Sequence, residues 1–331
     1  MTPRSPFPSV IDSSLIASAR SCRRKVGLEY FDHWKPKTQS VHLHAGAAYA
    51  KGLEVARLAY YGGEYHSPLV SVTSQGETTV DWVAEKRERG DAPSAIAAGA
   101  RALIAAYGLF ECPPESAKSL ERVLGAYEYY FSAYPLTEDR AVPLTLPSGR
   151  LGVEFSFAEP IDFAHPETGD PLIYVGRMDM VVSYNGAAFG EDDKTTSQLG
   201  ASWSRQWDLR PQFTGYCWGA KRGGLPLTGF LVRGVSILKT KYETQQAITY
   251  RPQWMIDEWY EQLVTEDLPA LVRAWESGNW GSPHGHACDE YGGCAFKQVC
   301  LAQPADRISW LSTSFERRRW DPVTREETVL V

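Results

Sequence analysis

The sequence predicts an α/β fold, a mixed central β-sheet flanked by helices with helical N-terminal and C-terminal parts, on three observations. Residues 44–62, HAGAAYAKGLEVARLAYYG, are alanine-rich and repeat apolar positions at helical spacing. Residues 142–189 are instead rich in β-formers, with turn signals at Pro147-Ser148-Gly149 and Glu167-Thr168-Gly169-Asp170. A helical stretch, one apolar strand and a long helix follow, the order expected when helices pack on a mixed sheet.

Each element has its own signal. Residues 1–40 read as a polar arm, within which Ser13 to Tyr30 is a helix that a serine would cap. The alanine-rich helix ends at the pair Gly62-Gly63. Residues 92–107 and 116–134 are two further helices, separated by the breaker Cys112-Pro113-Pro114. Beyond the strand-rich centre, Ser202 to Lys221 reads as a helix, Gly229 to Leu238 as a strand, and residues 253–278 as a last helix. The expected organisation is one interwoven domain: a helical region 1–140, a core 141–250, and a C-terminal helix with a cysteine region 251–331.

Composition bounds the function. At 331 residues the chain is near the limit of one hydrophobic core, and 43% apolar with 22% charged residues places it among ordinary globular proteins. Its 11 Trp and 17 Tyr residues serve a large core before they serve base stacking. A net charge of −6 argues against a protein that coats duplex DNA, but leaves room for an enzyme with a local basic groove. The start MTPRSPFPSV has no apolar run of signal-peptide type, and no stretch of about 18 apolar residues occurs. No membrane partner is expected, and the default location is cytoplasmic. Six cysteines in a reducing compartment are thiols or metal ligands rather than disulfides.

The most informative stretch is Tyr174 to Ser197, YVGRMDMVVSYNGAAFGEDDKTTS. Asn185-Gly186 between two β-rich runs is a hairpin signal, because a type I′ turn needs positive φ at both positions. A two-residue loop sets Tyr184 against Ala187 and, stepping back along both strands, Asp179 against Asp192. Opposed residues have Cβ atoms about 4.5–5.5 Å apart, so the two carboxylates repel unless a divalent cation lies between them. Hard oxygen ligands suit Mg²⁺ or Mn²⁺. Lys194 falls on the same face by strand alternation, where its amine would orient a water or offset charge on a phosphate. The alternative is that Glu191-Asp192-Asp193-Lys194 is a solvated strand end.

Gly176-Arg177-Met178-Asp179, a hairpin, then Asp192-Asp193-Lys194 resembles the G-x-x-D…D-x-K core of PD-(D/E)XK nucleases, above all the RecB-type branch with its CRISPR-associated and phage-encoded exonucleases. Gln212-Phe213-Thr214-Gly215-Tyr216 is similar to the Q-x-x-x-Y motif of that branch, and in a helix Gln212 and Tyr216 share a face. The resemblance implies Asp179 and Asp192, with the carbonyl of Asp193, as metal ligands and Lys194 as the catalytic amine. Gln212 and Tyr216 then support the lysine or the DNA backbone. The first family motif lies on an early helix; Gly46 and Glu54 fit it, Glu54 as a further acidic ligand or support. Where the family places a histidine this chain has Ala50, which leaves open whether one or two metals bind. His42 and His44 lie upstream and are not obvious substitutes.

Cys288, Cys294 and Cys300 follow one another in ACDEYGGCAFKQVC, with Gly292-Gly293 permitting a tight turn. A fourth ligand is needed, and Cys22, before Arg23-Arg24-Lys25, is the candidate. One cysteine before the core and three after it resembles the RecB-type nucleases that carry a [4Fe–4S] cluster, which would join the N-terminal and C-terminal parts. Tetrahedral zinc is the competing metal, with His284 and His286 in reserve. Cys112 and Cys217 read as ordinary buried cysteines. Arg317-Arg318-Arg319-Trp320 is either a phosphate contact or a solvated basic tail.

The expected function is a Mg²⁺- or Mn²⁺-dependent exonuclease acting on single-stranded DNA ends. The alternative is a catalytically weak nuclease-fold protein that binds DNA, or a replication or recombination protein.

Overall fold

The computed structural model describes residues 5–72, 78–86, 88–282, 285–289, 293–324 and 326–330. In chain order it begins with strand β1 (Val10–Asp12), helices α1 (Ser13–Ser21) and α2 (Arg23–Val26), strand β2 (Trp34–Pro36) and the long helix α3 (Val41–Tyr61). A hairpin of β3 (Glu64–Val72) and β4 (Thr78–Lys86) leads to helices α4 (Ala92–Tyr107) and α5 (Leu120–Ala133). The central strands are β5 (Val142–Pro143), β6 (Val153–Ala164), β7 (Pro171–Tyr184) and β8 (Ala187–Thr196). Helices α6 (Ala201–Arg205) and α7 (Pro211–Arg222) precede strands β9 (Gly229–Ile237) and β10 (Tyr242–Tyr250). Helices α8 (Gln253–Gln262), α9 (Leu268–Ser277), α10 (Lys297–Leu301) and α11 (Arg307–Ser314) lead to β11 (Phe315–Trp320) and β12 (Glu327–Val329).

The fold class is the expected one. A seven-stranded mixed sheet runs β1-β7-β8-β9-β10, with β5 and β6 also paired to β7. The β1–β7 and β8–β9 pairs are parallel; the β6–β7, β7–β8 and β9–β10 pairs are antiparallel. Helix α7 packs on β6, β7 and β9 over a core that includes Phe157, Tyr174, Phe213, Phe230 and Val232. Helices α3, α4 and α5 enclose a second core with Tyr49, Leu53, Leu103 and Tyr127, which reaches Val235 and Ile237 of β9. All of β9 is buried because both faces are covered. Trp203, Trp207, Trp218, Trp259 and Trp275 are buried, so much of the aromatic content is core.

Several expectations are corrected. The arm at residues 1–40 is not merely polar: Phe7 and Ile11 are buried, and β1 joins the central sheet. The first helix is capped by Asp12, whose Oδ1 accepts from the Leu15 amide at 2.8 Å, and it breaks at Cys22. The stretch Ser202 to Lys221 is two helices, since Pro211 starts a new one at its first turn. The last long helix is α8 and α9 joined through a π-turn at Leu263–Asp267. The basic run 317–320 is part of β11, which pairs with β2 and β12, and Arg318 is bound by Glu316 and Glu327. No helix among the described residues is long and apolar enough to cross a membrane.

Candidate active site

The β7–β8 turn has the geometry the sequence required. Asn185 (φ 51°) and Gly186 (φ 81°) both lie in the left-handed region, and Tyr184 pairs with Ala187. The ladder runs back to Met180–Glu191 and stops one pair short of Asp179–Asp192. From there β8 continues along β9, while the other end of β7 is taken up by β1 only at Val175. Residues 176–179 of β7 therefore border a split between strands, and Asp179 bridges it with its side chain. Its Oδ2 accepts a hydrogen bond from the Asp193 amide at 2.7 Å.

The candidate acids and the amine meet at this split. Asp192 is buried, and Lys194 forms an ion pair with its Oδ2. Burial, and then the Asp192 charge, push the Asp179 carboxyl well above the usual carboxylate range. Burial alone would pull Lys194 down, but the Asp192 and Asp179 charges outweigh it and hold the amine above its ordinary value. The lysine thus stays a cation. The donor set of two carboxylates fits Mg²⁺ or Mn²⁺, because such ions need only one or two carboxylates and complete their shell with water and phosphate oxygens. Among the described residues no group of three or more His, Cys, Asp or Glu side chains is placed to hold a metal ion.

Tyr216 on α7 lies within electrostatic reach of both Asp192 and Lys194, and the Gln212 side-chain amide donates to its hydroxyl at 3.0 Å. Strand β7 makes room for this ring at Gly176, where a Cβ would come within 2.7 Å of Tyr216 and 2.5 Å of Phe157. From the other side, Gly46 of α3 lies against Thr195, its Cβ position 3.6 Å from the Thr195 hydroxyl. Ala50 and Glu54 follow on later turns of α3, and Glu54 is held by Lys51 at 2.9 Å. The charged groups around Asp179 are Asp192, Lys194, Asp193 and Glu154, so Glu54 is not brought into its immediate circle. His44 packs on Phe110 with its Nε2 2.8 Å from the Tyr107 carbonyl, a structural placement away from the acids.

The sequence profile of the PD-(D/E)XK nuclease superfamily matches residues 17–301. The chain belongs to that superfamily. Among solved structures, a candidate exonuclease from Eubacterium rectale is similar to this nuclease at 11% identity and a TM-score of 0.44, over 85% of this chain and 86% of that one. The protein SSO0001 is similar at 14% identity and a TM-score of 0.25, over 43% of this chain and 59% of that one. Neither likeness bears on activity at such scores. No curated protein sequence matches the chain.

Sequence reasoning missed what stands behind the acidic strand of this nuclease. Alternation sends Asp192 and Lys194 towards α7, but Glu191 and Asp193 towards α3 and α5. There Arg57, almost wholly buried, donates to Asp193 Oδ2 at 2.6 Å, Glu191 Oε1 at 2.8 Å and the Tyr130 hydroxyl at 2.6 Å. Arg233 of β9 adds a bidentate pair to Asp139 at 2.6 and 2.7 Å, and lies 3.4 Å from Glu191. Burial raises Glu191 to about 7, against the pull of both guanidiniums. The signal available was an arginine on the apolar side of α3, three residues after Glu54.

Among the described residues Cys22, Cys288, Cys294 and Cys300 form no group placed to hold a metal ion; Cys22 and Cys300 come only within electrostatic reach of Cys294. Burial raises the Cys294 thiol, and Cys22 and Cys300 are near enough to raise it further. The Cys294 amide donates to the Cys288 carbonyl at 2.9 Å, and Gly293 takes a φ of 102°. Gly292 and His284 lie outside the described residues. Cys217 is buried as expected, while Cys112 is half-buried.

Proposed function

We propose that this nuclease is a Mg²⁺- or Mn²⁺-dependent deoxyribonuclease, working as an exonuclease on single-stranded DNA ends. One juxtaposition carries the reading: Asp179 and Asp192 meet at a split in the sheet with the Lys194 amine paired beside them. Asp179, Asp192 and the carbonyl of Asp193 would hold the ion, which when bound acidifies a water and polarises the scissile phosphate. Lys194, kept cationic by its neighbours, orients the attacking water and offsets charge gathering on the phosphate oxygens. Tyr216, fixed by Gln212, limits where that amine can go. Glu54, paired with Lys51 on α3 and outside the circle of groups around Asp179, is left without a direct part in this reading. The preference for single-stranded ends rests on the resemblance to RecB-type exonucleases.

The reading extends to Cys22, Cys288, Cys294 and Cys300 as ligands of a [4Fe–4S] cluster, with Cys₄ zinc as the alternative. Support comes from the approach of Cys22, across the whole core, to Cys294 and Cys300. Anaerobically purified protein should contain about four iron and four sulfide per chain; zinc without sulfide would replace the cluster by a zinc site.

The experiment that tests the activity is digestion of 5′- and 3′-labelled single-stranded, double-stranded and circular DNA with Mn²⁺. A mononucleotide or short-product ladder from one end, with circles untouched, is expected. Cutting of circles would make it an endonuclease. The alanine at position 50 favours a second reading, a weakly catalytic protein that binds DNA or a replication or recombination partner; it predicts binding without a ladder.

A further inference from the structure

We propose that the cavity between the starts of α1 and α7 is a phosphate-binding subsite, taking a phosphate group of the strand next to the bond being cut. This rests on the nuclease reading for its ligand, but not for its geometry. The cavity, about 120 Å³, is lined by Ser13, Ser14, Arg20, Tyr174, Arg210 and Gln212 among others. Two helices open onto it: Ser13 and Ser14 are the first residues of α1, and Pro211 and Gln212 those of α7. Pro211 has no N–H, and the Leu15 and Phe213 amides are taken by Asp12 and the Arg210 carbonyl; the Ser13, Ser14 and Gln212 amides lack intrahelical partners and lie at the positive end of a helix dipole, which favours an anion.

A second observation points to a ligand. Tyr174 is 1% exposed, and its hydroxyl has no hydrogen-bond partner among the described residues. The same hydroxyl lies against Gly215 of α7, where a Cβ would come within 2.3 Å of it. A buried donor left unmatched is unusual and calls for an acceptor. Two arginines line the cavity, and one acid, Asp12, acts on the same hydroxyl. Arg210 is exposed, with no ion pair to a described residue, while Arg20 is bound by Asp267. Asp12, the nearby acid, caps the Leu15 amide.

The cavity is also tied to the chemistry. Gln212 donates to the Tyr216 hydroxyl, Ser13 lies near the same hydroxyl, and Tyr216 feels both Asp192 and Lys194. A phosphate held here lies one phenol away from the catalytic amine. An internal phosphodiester and a terminal phosphate share this chemistry, and the test separates them.

The test compares wild type, Arg210→Gln and Tyr174→Phe in EDTA, where nothing is cut. Inorganic phosphate should raise the Tm of wild type and not of Arg210→Gln. Binding of single-stranded oligonucleotides should weaken about tenfold in Arg210→Gln. Its slope of log affinity against log salt should flatten by about 0.7. Tyr174→Phe should keep the wild-type Tm, bind about threefold more weakly and leave the slope unchanged. Tighter wild-type binding of phosphorylated than hydroxyl ends, lost in Arg210→Gln, would assign a terminal phosphate; equal binding of both, equally weakened, an internal one. Unaltered phosphate and oligonucleotide binding in both variants, with DNA still cut, would overturn the subsite alone. A phosphate effect lost in Arg210→Gln, in a protein that cuts no DNA, would keep the subsite and sink the nuclease reading.

Discussion

Glu191, Asp192, Asp193 and Lys194 are four charged residues in a row, and strand alternation gives each pair a different task. Asp192 and Lys194 turn to the split; Glu191 and Asp193 turn to Arg57, which ties the strand to α3. Removing a buried partner leaves uncompensated charge, so Arg57→Ala should lose about 3–5 kcal/mol of stability in urea unfolding. An unchanged midpoint would show the network to be dispensable. Lys118 makes a second residue-scale prediction. It is buried near the end of β8, its Nζ 3.5 Å from the Thr196 carbonyl, and burial lowers it to about 8. Between that value and the ordinary 10.5 the folded protein holds fewer protons than the unfolded chain, so stability rises with pH across this window. Below it the penalty of the buried cation is complete. Lys118→Met should therefore be about 1–3 kcal/mol more stable than wild type at pH 7, with the difference shrinking towards pH 10. Asp179, Asp192, Lys194, Gln212 and Tyr216 were legible because a hairpin and one helical turn fix their spacing locally. Arg57 and Arg233 were not, because their partners lie 134 and 42 residues away and no local period announces them.

Elements show the same division between local and distant information. The Asn185-Gly186 turn and the helix at 92–107 were readable outright, since turn chemistry and periodicity are local. The breaks at Cys22 and Pro211 and the π-turn at 263–267 interrupt segments whose apolar spacing runs on, so periodicity joined what backbone geometry divides. The β3–β4 hairpin went unread. It leaves Leu69, Val70 and Val83 exposed, so apolar residues appear on both faces and the alternation that marks a half-buried strand is lost. Contact between α7 and β7 depends on Gly176, and Gly176→Ala should drive Tyr216 away from Lys194. The expected outcome is cleavage lowered about tenfold or more, since small displacements of positioned groups carry such losses. Binding to DNA in EDTA should fall far less; an equal fall in both would make Gly176 a folding determinant only.

On the scale of the molecule, distant segments complete the site. Strand β1 joins β7 at Val10–Ile173, and α1 then starts beside the split, bringing Ser13 to Tyr216. The other face is closed by α3, whose Gly46 meets Thr195. Sequence motifs gave the superfamily and the class of sheet, but not that the N-terminal strand would be built into the sheet next to the acids, because strand pairing across 163 residues has no local signature. In the proposed function, Asp192 and Lys194 perform metal-dependent cutting in this split. The most direct measurement is single-turnover cleavage of end-labelled single-stranded DNA with Mn²⁺ by wild type, Asp192→Asn and Lys194→Ala, each first shown to bind the DNA in EDTA. Cutting by wild type that falls by about a hundredfold or more in both variants, with binding retained, is the predicted result. Wild-type and Lys194→Ala proteins that cut equally, or a folded wild type that binds but does not cut, would contradict it.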